Sequence, residues 1–231
     1  MSRFIFMLTR DDVTVPDALS VCDTLWDLPV DAIGFKDVGL PIRDLRAIVD
    51  LIHEQDREAV LEVVSETREE ELRSVTAGLE LEVDLLLGGV NASAALKIIG
   101  DAGDRAPRYC PFPGRIVGHP SSLRGTVESV TASARELAAM DGVWGLDLLG
   151  YRFDGAADEL IRSVVSSVRK PVILAGSVDS ADRVRRAVRA RVWGFTVGTA
   201  AFERRFAPGA PLADQLRTIL KTAHQAAEHV A

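Results

Sequence analysis

The sequence predicts an α/β chain folded as a single (β/α)8 barrel, the TIM architecture, over residues 1–231. Three observations carry the expectation. Apolar, β-rich runs of five to nine residues alternate throughout with polar turns and segments of helical period. Eight such pairs can be counted, at intervals of roughly 20 to 37 residues, the range of successive βα units. No Gly/Ser/Pro-rich linker, composition shift or low-complexity segment divides the chain, so one domain is expected. An open doubly wound sheet is the rival arrangement, but its GxGxxG fingerprint is absent after the first strand.

The elements follow in order. FIFMLT (4–9) is an apolar first strand, and DALSVCDTLWDL (17–28) is the helical segment behind it. VDAIGFK (30–36) alternates small residues with Ile33 and Phe35 as the second strand, before the helical IRDLRAIVDLIHEQ (42–55). EAVLEVV (58–64) and EEELRSVTAGLEL (69–81) form the third pair, and VDLLLGG (83–89) and PRYCPF (107–112) are the fourth and fifth strands. VWGLDLLGY (143–151), PVILAG (171–176) and VWGFTVG (192–198) complete the series. The run RVRRAVRAR between the last two strands reads as a solvated helix face. The longest connection, PFPGRIVGHPSSLRGT after the fifth strand, is rich in Pro and Gly. Irregular backbone and a lid role are expected of it.

Composition narrows the partners. The chain is 47% hydrophobic and 26% charged, an ordinary globular balance, with a net charge of −7. That charge argues against nucleic acid or an anionic membrane surface, while a local basic patch for a small anion stays compatible with it. Cys22 and Cys110 show no CxxC spacing, and no signal-like start or membrane-spanning run is evident, so a reducing cytoplasm is expected. A homo-oligomer is compatible with this composition.

In a barrel the loops after the strands converge on one face and carry the chemistry. VILAG and VWGFTVG each end in a glycine followed by a hydroxyl residue, which makes Gly176, Ser177, Gly198 and Thr199 candidates for holding a phosphate through backbone amides. Glycine lets the oxygens approach closely; the alternative is that both glycines simply end strands. On the second strand, Ile33 and Phe35 should face the helices, which turns Lys36 toward the lumen and the active face. Only four lysines stand against 23 arginines, so a lysine at a strand end invites a functional role as a base. The same parity sends Glu62 and Asp147 to the lumen as acid–base partners. A closed ion-pair network filling the core is the alternative for all three. Asp37, of opposite parity, is expected to cap the next turn. Arg10 and Asp11 open the loop after the first strand, Asp11 as an acid or an N-cap. Arg115, His119 and Arg124 lie in the long connection, where an arginine suits a carboxylate or phosphate and His119 also suits a loop hydrogen bond. His53, His224 and His229 fall on helical segments without ligand spacing, so no zinc site is expected. Asp11, Glu62 and Asp147 are of the type that binds magnesium, with no positive sign that they do. No cofactor is expected.

The stretch AGSVDSADRVRRAVRARVWGFTVGTAAFE resembles the last two units of the ribulose-phosphate-binding type of barrel. That group contains phosphoribosyl isomerases, indole-glycerol-phosphate synthases and N-acetylmannosamine-6-phosphate 2-epimerases. The resemblance implies a phosphorylated small substrate and no single reaction. It extends to the epimerases' strand-two lysine, matched by Lys36, and to their GYT motif after strand six, matched in part by LGY at Tyr151, a substrate-binding candidate. It departs where those epimerases carry an acid beside the strand-seven glycine, because Ala175 stands there. IGFKDVGLP, LEVVS, YCPFPGRIVGHPS and GLDLLGYR resemble a bacterial barrel group that implies the fold and no particular reaction.

The expected function is a cofactor-independent isomerase or epimerase of a small phosphorylated sugar or hydroxy-acid-like metabolite. Lys36 would remove a proton beside a carbonyl, and Asp147 or Glu62 would return one. A Schiff-base lyase or aldolase on Lys36 and a phosphometabolite-binding barrel without turnover are the alternatives.

Overall fold

A computed structural model describes residues 2–229. Eight parallel strands form the sheet: β1 (Arg3–Met7), β2 (Ala32–Phe35), β3 (Glu58–Val63), β4 (Leu85–Gly88), β5 (Arg108–Cys110), β6 (Leu146–Leu148), β7 (Val172–Leu174) and β8 (Gly194–Val197). β1 pairs with β2 on one side and with β8 on the other, Phe4 standing opposite Phe195 and Phe6 opposite Ile33. The ring closes between β5 and β6 through one parallel bridge, Tyr109 to Val143. This is the (β/α)8 barrel that the alternating pattern predicts.

Strand parity divides the core in two. Ile5, Met7, Ala32, Val60, Leu85, Leu87, Cys110 and Ile173 fill the lumen. Phe4, Phe6, Ile33, Phe35, Leu61 and Leu86 point outward under the helices. Helix α1 (Ala18–Asp23) is short, while α2 (Ile42–Glu54) buries Leu45, Ile48, Val49 and Ile52, one face at spacings of three and four. Each such side chain contributes about 1.5–3 kcal/mol of burial. Helix α3 (Arg68–Leu81) starts at Thr67, whose hydroxyl accepts from the Glu70 N–H. Helices α4 (Ala92–Gly100), α5 (Val127–Ala139) and α6 (Ala157–Ser167) follow their strands, α5 opening on a Thr126–Ser129 capping box. In α7 (Ala181–Arg189) Val184, Ala187 and Val188 face the core, which leaves the arginine run on the outer face, as expected. A four-residue α8 (Thr199–Phe202) and the long α9 (Leu212–Glu228) end the chain.

The amino-terminal mouth of the barrel is sealed. Trp144 and Trp193 meet edge to face at 4.9 Å, with Arg108 and Arg3 each 4.9 Å over one of the rings. Both arginines pair with Glu58, at 2.7 and 2.8 Å. Access is therefore from the carboxyl ends of the strands.

Two connections there are more ordered than expected. The segment after β5 forms an antiparallel hairpin, Arg115–Val117 against Ser122–Arg124, rather than an irregular loop. Gly118 and Pro120 are confined to its turn, while Ile116, Val117 and Leu123 supply strand-forming side chains, Leu123 fully buried. After β1, Thr9–Arg10 pairs with Val13–Thr14, leaving Asp11 and Asp12 as a two-residue turn with φ of 52° and 63°. Among the described residues no helix is long and apolar enough to cross a membrane.

Candidate active site at the carboxyl ends of the strands

A cavity of about 550 Å³ opens at this face. Its floor is an ion cluster. Lys36, one residue past β2, has its backbone clamped by Thr14, whose hydroxyl donates to the Lys36 carbonyl (2.7 Å) and accepts from the Lys36 N–H (2.9 Å). Its Nζ lies 2.7 Å from Asp12 Oδ1 and 3.2 Å from Glu62 Oε2, and the residue is only 2% exposed. Arg152 closes the cluster from the turn after β6, with Nη1 2.8 Å from Asp12 Oδ2 and Nη2 3.1 Å from Oδ1. Burial alone would raise the Asp12 carboxyl, but the hydrogen bond from Arg152 and the charges of Lys36 and Arg152 hold it well below the usual carboxylate range.

Asp147 completes the lumen group and behaves oppositely. It is fully enclosed, neither oxygen has a hydrogen-bond partner, and it does not line the cavity. Burial and the neighbouring Glu62 charge push its carboxyl well above the ordinary range, against the pull of Lys36 and Arg152. The neutral form is thereby favoured, and the group lies out of a bound substrate's direct reach. Cys110 beside it is a buried thiol that burial also pushes up, not an activated nucleophile.

The rim holds the two glycine turns. Gly176 and Ser177 both have positive φ, 71° and 57°. A Cβ on Gly176 would meet Arg152 at 2.8 Å, and one on Gly198 would meet the Thr9 carbonyl at 2.8 Å. The main-chain N–H groups of Gly176, Ser177, Gly198 and Thr199 have no acceptor among the described residues. All four residues line the cavity.

The remaining expected residues divide. Tyr151 lines the cavity, half-buried, with the Arg183 guanidinium 4.8 Å above its ring. Burial and Asp158 push its hydroxyl up to about 12. Asp11 lies at the rim with an exposed side chain, and only its N–H is engaged, with Thr199 Oγ1 at 3.0 Å. It caps no helix, and the acid that reaches Lys36 is its neighbour Asp12. Arg10 is exposed over Phe202, and Arg115 and His119 are exposed on the hairpin; none of the three lines the cavity, which the hairpin meets through Pro120, Ser121 and Ser122. Asp37 accepts a hydrogen bond from Ser74 on α3 instead of capping a turn. Asp11, Glu62 and Asp147 form no common ligand group, and no cluster of three or more His, Cys, Asp or Glu suited to a metal occurs among the described residues.

Sequence reasoning misses Asp12, Arg152 and Arg205. Arg205 lines the cavity from beyond α8 and is held by Asp179 (3.3 Å) and Glu203 (2.7 Å). Five acids, Asp11, Asp12, Glu62, Asp179 and Glu203, thus line a cavity with three cations, Lys36, Arg152 and Arg205. Acids outnumber cations in this lining, and the unpaired N–H groups of the rim are donors of the type that can hold an anion.

No family model matches the sequence, and no curated protein matches it. Solved structures match along almost the whole chain. A thiamine phosphate pyrophosphorylase from Pyrococcus furiosus is 16% identical with a TM-score of 0.65, covering 97% of this chain and 96% of that one. An orotidine 5'-phosphate decarboxylase from Pyrococcus horikoshii OT3 is 15% identical with a TM-score of 0.65, covering 96% and 99%. An N-acetylmannosamine-6-phosphate 2-epimerase from Clostridium perfringens is 13% identical with a TM-score of 0.62, covering 88% and 91%. At such identities the likeness establishes the barrel fold.

Proposed function

We propose that the chain is an enzyme of small phosphorylated metabolites, an isomerase or epimerase that moves a proton beside a carbonyl and needs no bound cofactor. One observation carries this reading: Lys36 and Glu62 are paired on the floor of a cavity whose rim presents four unpaired main-chain N–H groups. The fold relatives include proteins named for phosphorylated compounds, which supports the substrate class by analogy.

The ion pairs favour a division of labour different from the one the sequence suggests. Asp12 is committed to both Lys36 and Arg152, whereas Glu62 makes the single, longer contact to Lys36, so Glu62 is the carboxylate beside Lys36 that a substrate can release to accept a proton. Lys36, as an ion-paired ammonium, offers a proton or a positive charge rather than a lone pair. A substrate carbonyl that displaces the 3.2 Å Glu62 contact puts its oxygen on Nζ and its acidic C–H near Glu62. The ammonium then stabilises the enolate oxygen as charge develops there. Return of the proton from Glu62 to the neighbouring carbon gives an isomer, whereas an epimer requires Glu62 to keep its proton while water entering the open cavity delivers another to the opposite face of the same carbon. The same ion pairing disfavours a Schiff base, which requires the free amine. Burial and the Glu62 charge favour the neutral form of Asp147, which limits the negative charge around Glu62.

The test is deuterium uptake from D2O into a panel of phosphorylated sugars and hydroxy acids. Lys36→Met and Glu62→Gln should each lower exchange by roughly 10²–10⁴-fold, and dephosphorylated analogues should not exchange. Borohydride trapping of substrate on Lys36 without exchange would replace this reading with the lyase.

A further inference from the structure

We propose that Arg152 is the side-chain ligand of the substrate's anionic group, and that this group competes with Asp12 for its guanidinium. The inference rests on the phosphate reading above. Of the cavity's three cations, Lys36 already has two carboxylates, Asp12 and Glu62, and Arg205 has two, Asp179 and Glu203. Arg152 has one, Asp12, supplemented by the Ser121 carbonyl at 3.2 Å. A guanidinium carries five N–H donors, and Arg152 commits only those on Nη1 and Nη2. Its Nε–H has no acceptor among the described residues.

That spare donor lies against the glycine turn. A Cβ at Gly176 would stand 2.8 Å from both Nε and Cδ of Arg152, so the two groups are in contact. The unpaired main-chain N–H groups of Gly176 and Ser177 belong to the same turn. An anion seated there meets these three donors first, and its remaining oxygens compete with Asp12 for the Nη groups. The Arg152 side chain is 22% exposed, against 2% for Lys36, so it can turn toward the cavity. A phosphate also offers the paired oxygens that a guanidinium reads in a carboxylate. It therefore draws the Nη groups away from Asp12, and the coupling has a defined sign. Whatever loosens Asp12 from Arg152 tightens the anion, and the anion loosens Asp12 by the same factor.

The experiment is inorganic phosphate binding to the full chain by calorimetry, with Arg152→Gln, Asp12→Asn and Glu203→Gln. Arg152→Gln should weaken phosphate by about tenfold or more, the scale of one lost charge-assisted contact, whereas Asp12→Asn should tighten it severalfold. Glu203→Gln removes a lining carboxylate that pairs with Arg205 and not with Arg152, so it controls for lost negative charge and for freeing a different cation, and it should tighten phosphate less than Asp12→Asn. If Arg152 only buttresses Asp12, the two variants change phosphate affinity in the same direction, and the proposal is wrong. Wild-type binding that Arg152→Gln leaves unchanged rejects Arg152 while sparing the glycine cradle. A wild-type protein that binds no phosphate removes the phosphate reading and this inference with it. Should either variant fail to fold, the Arg152 Nε–H resonance of wild-type protein decides: it shifts as phosphate binds if the proposal holds, and stays fixed if it does not.

Discussion

Asp147 is buried without a partner, and its effect on stability has a definite sign. A carboxyl whose folded value lies above its unfolded one contributes stability fully at low pH, and that contribution is lost as pH rises from about 4 through the folded value. Asp147→Asn should therefore stabilise the protein at pH 7 by about 1–3 kcal/mol and flatten the pH dependence above pH 4. Thermal unfolding at pH 5 and pH 7.5 measures both, and a destabilised variant would show that the charged form is accommodated. Asp12 has the opposite sign, because its folded value is depressed. Its contribution is present above about pH 4 and disappears as the medium is acidified below that. Asp12→Ala, leaving Lys36 and Arg152 facing each other, should cost about 3–5 kcal/mol at pH 7 by denaturant titration; a loss below 1 kcal/mol would mean that the cluster relaxes. At this scale the lumen positions of Lys36, Glu62 and Asp147 are legible because strand alternation fixes them. Asp12 is not, since neighbouring acids in a turn with two positive φ angles obey no alternation. Arg152 follows a strand in a 3-10 turn and is hidden among 23 arginines.

Among the elements, the seam between β5 and β6 is the weakest in the ring. It is held by the Tyr109–Val143 bridge, by Trp144 and Gly145 N–H groups donating to the Tyr109 carbonyl at 2.9 and 3.3 Å, and by the Asp147 N–H donating to the Pro111 carbonyl at 3.1 Å. Hydrogen exchange should open residues 107–112 and 143–148 before β1 and β8, whose ladder spans four residue pairs; equal protection of both seams would contradict this. The adjoining hairpin should exchange more slowly when phosphate is bound, because Pro120, Ser121 and Ser122 line the cavity that the ligand fills. Unchanged protection would make it a fixed wall instead of a lid. Its pairing is hard to read from sequence because Gly and Pro suggest irregular backbone, while the strand-forming Ile116, Val117 and Leu123 occupy only three positions. The β8 turn offers a separate test. Gly198→Ala places a Cβ 2.8 Å from the Thr9 carbonyl and forces the turn to move, so phosphate affinity should fall by about tenfold or more. Retained affinity in a folded variant would remove that turn from the grip.

For the whole molecule, the βα alternation fixes the architecture because each strand is apolar on both faces and each helix on one, and a closed ring is the arrangement that buries them all. The same closure seals the amino-terminal mouth with Trp144 and Trp193 and leaves the opposite face for chemistry. What the pattern does not encode is the reaction, since many chemistries share this scaffold. The claim that the Lys36–Glu62 floor transfers a proton on a phosphorylated substrate is therefore tested most directly by isotope exchange. Wild-type protein in D2O should introduce deuterium beside the carbonyl of one phosphorylated sugar or hydroxy acid, and Glu62→Gln should stop this while inorganic phosphate still binds. A wild-type protein that binds such a compound tightly but incorporates no deuterium would contradict the account.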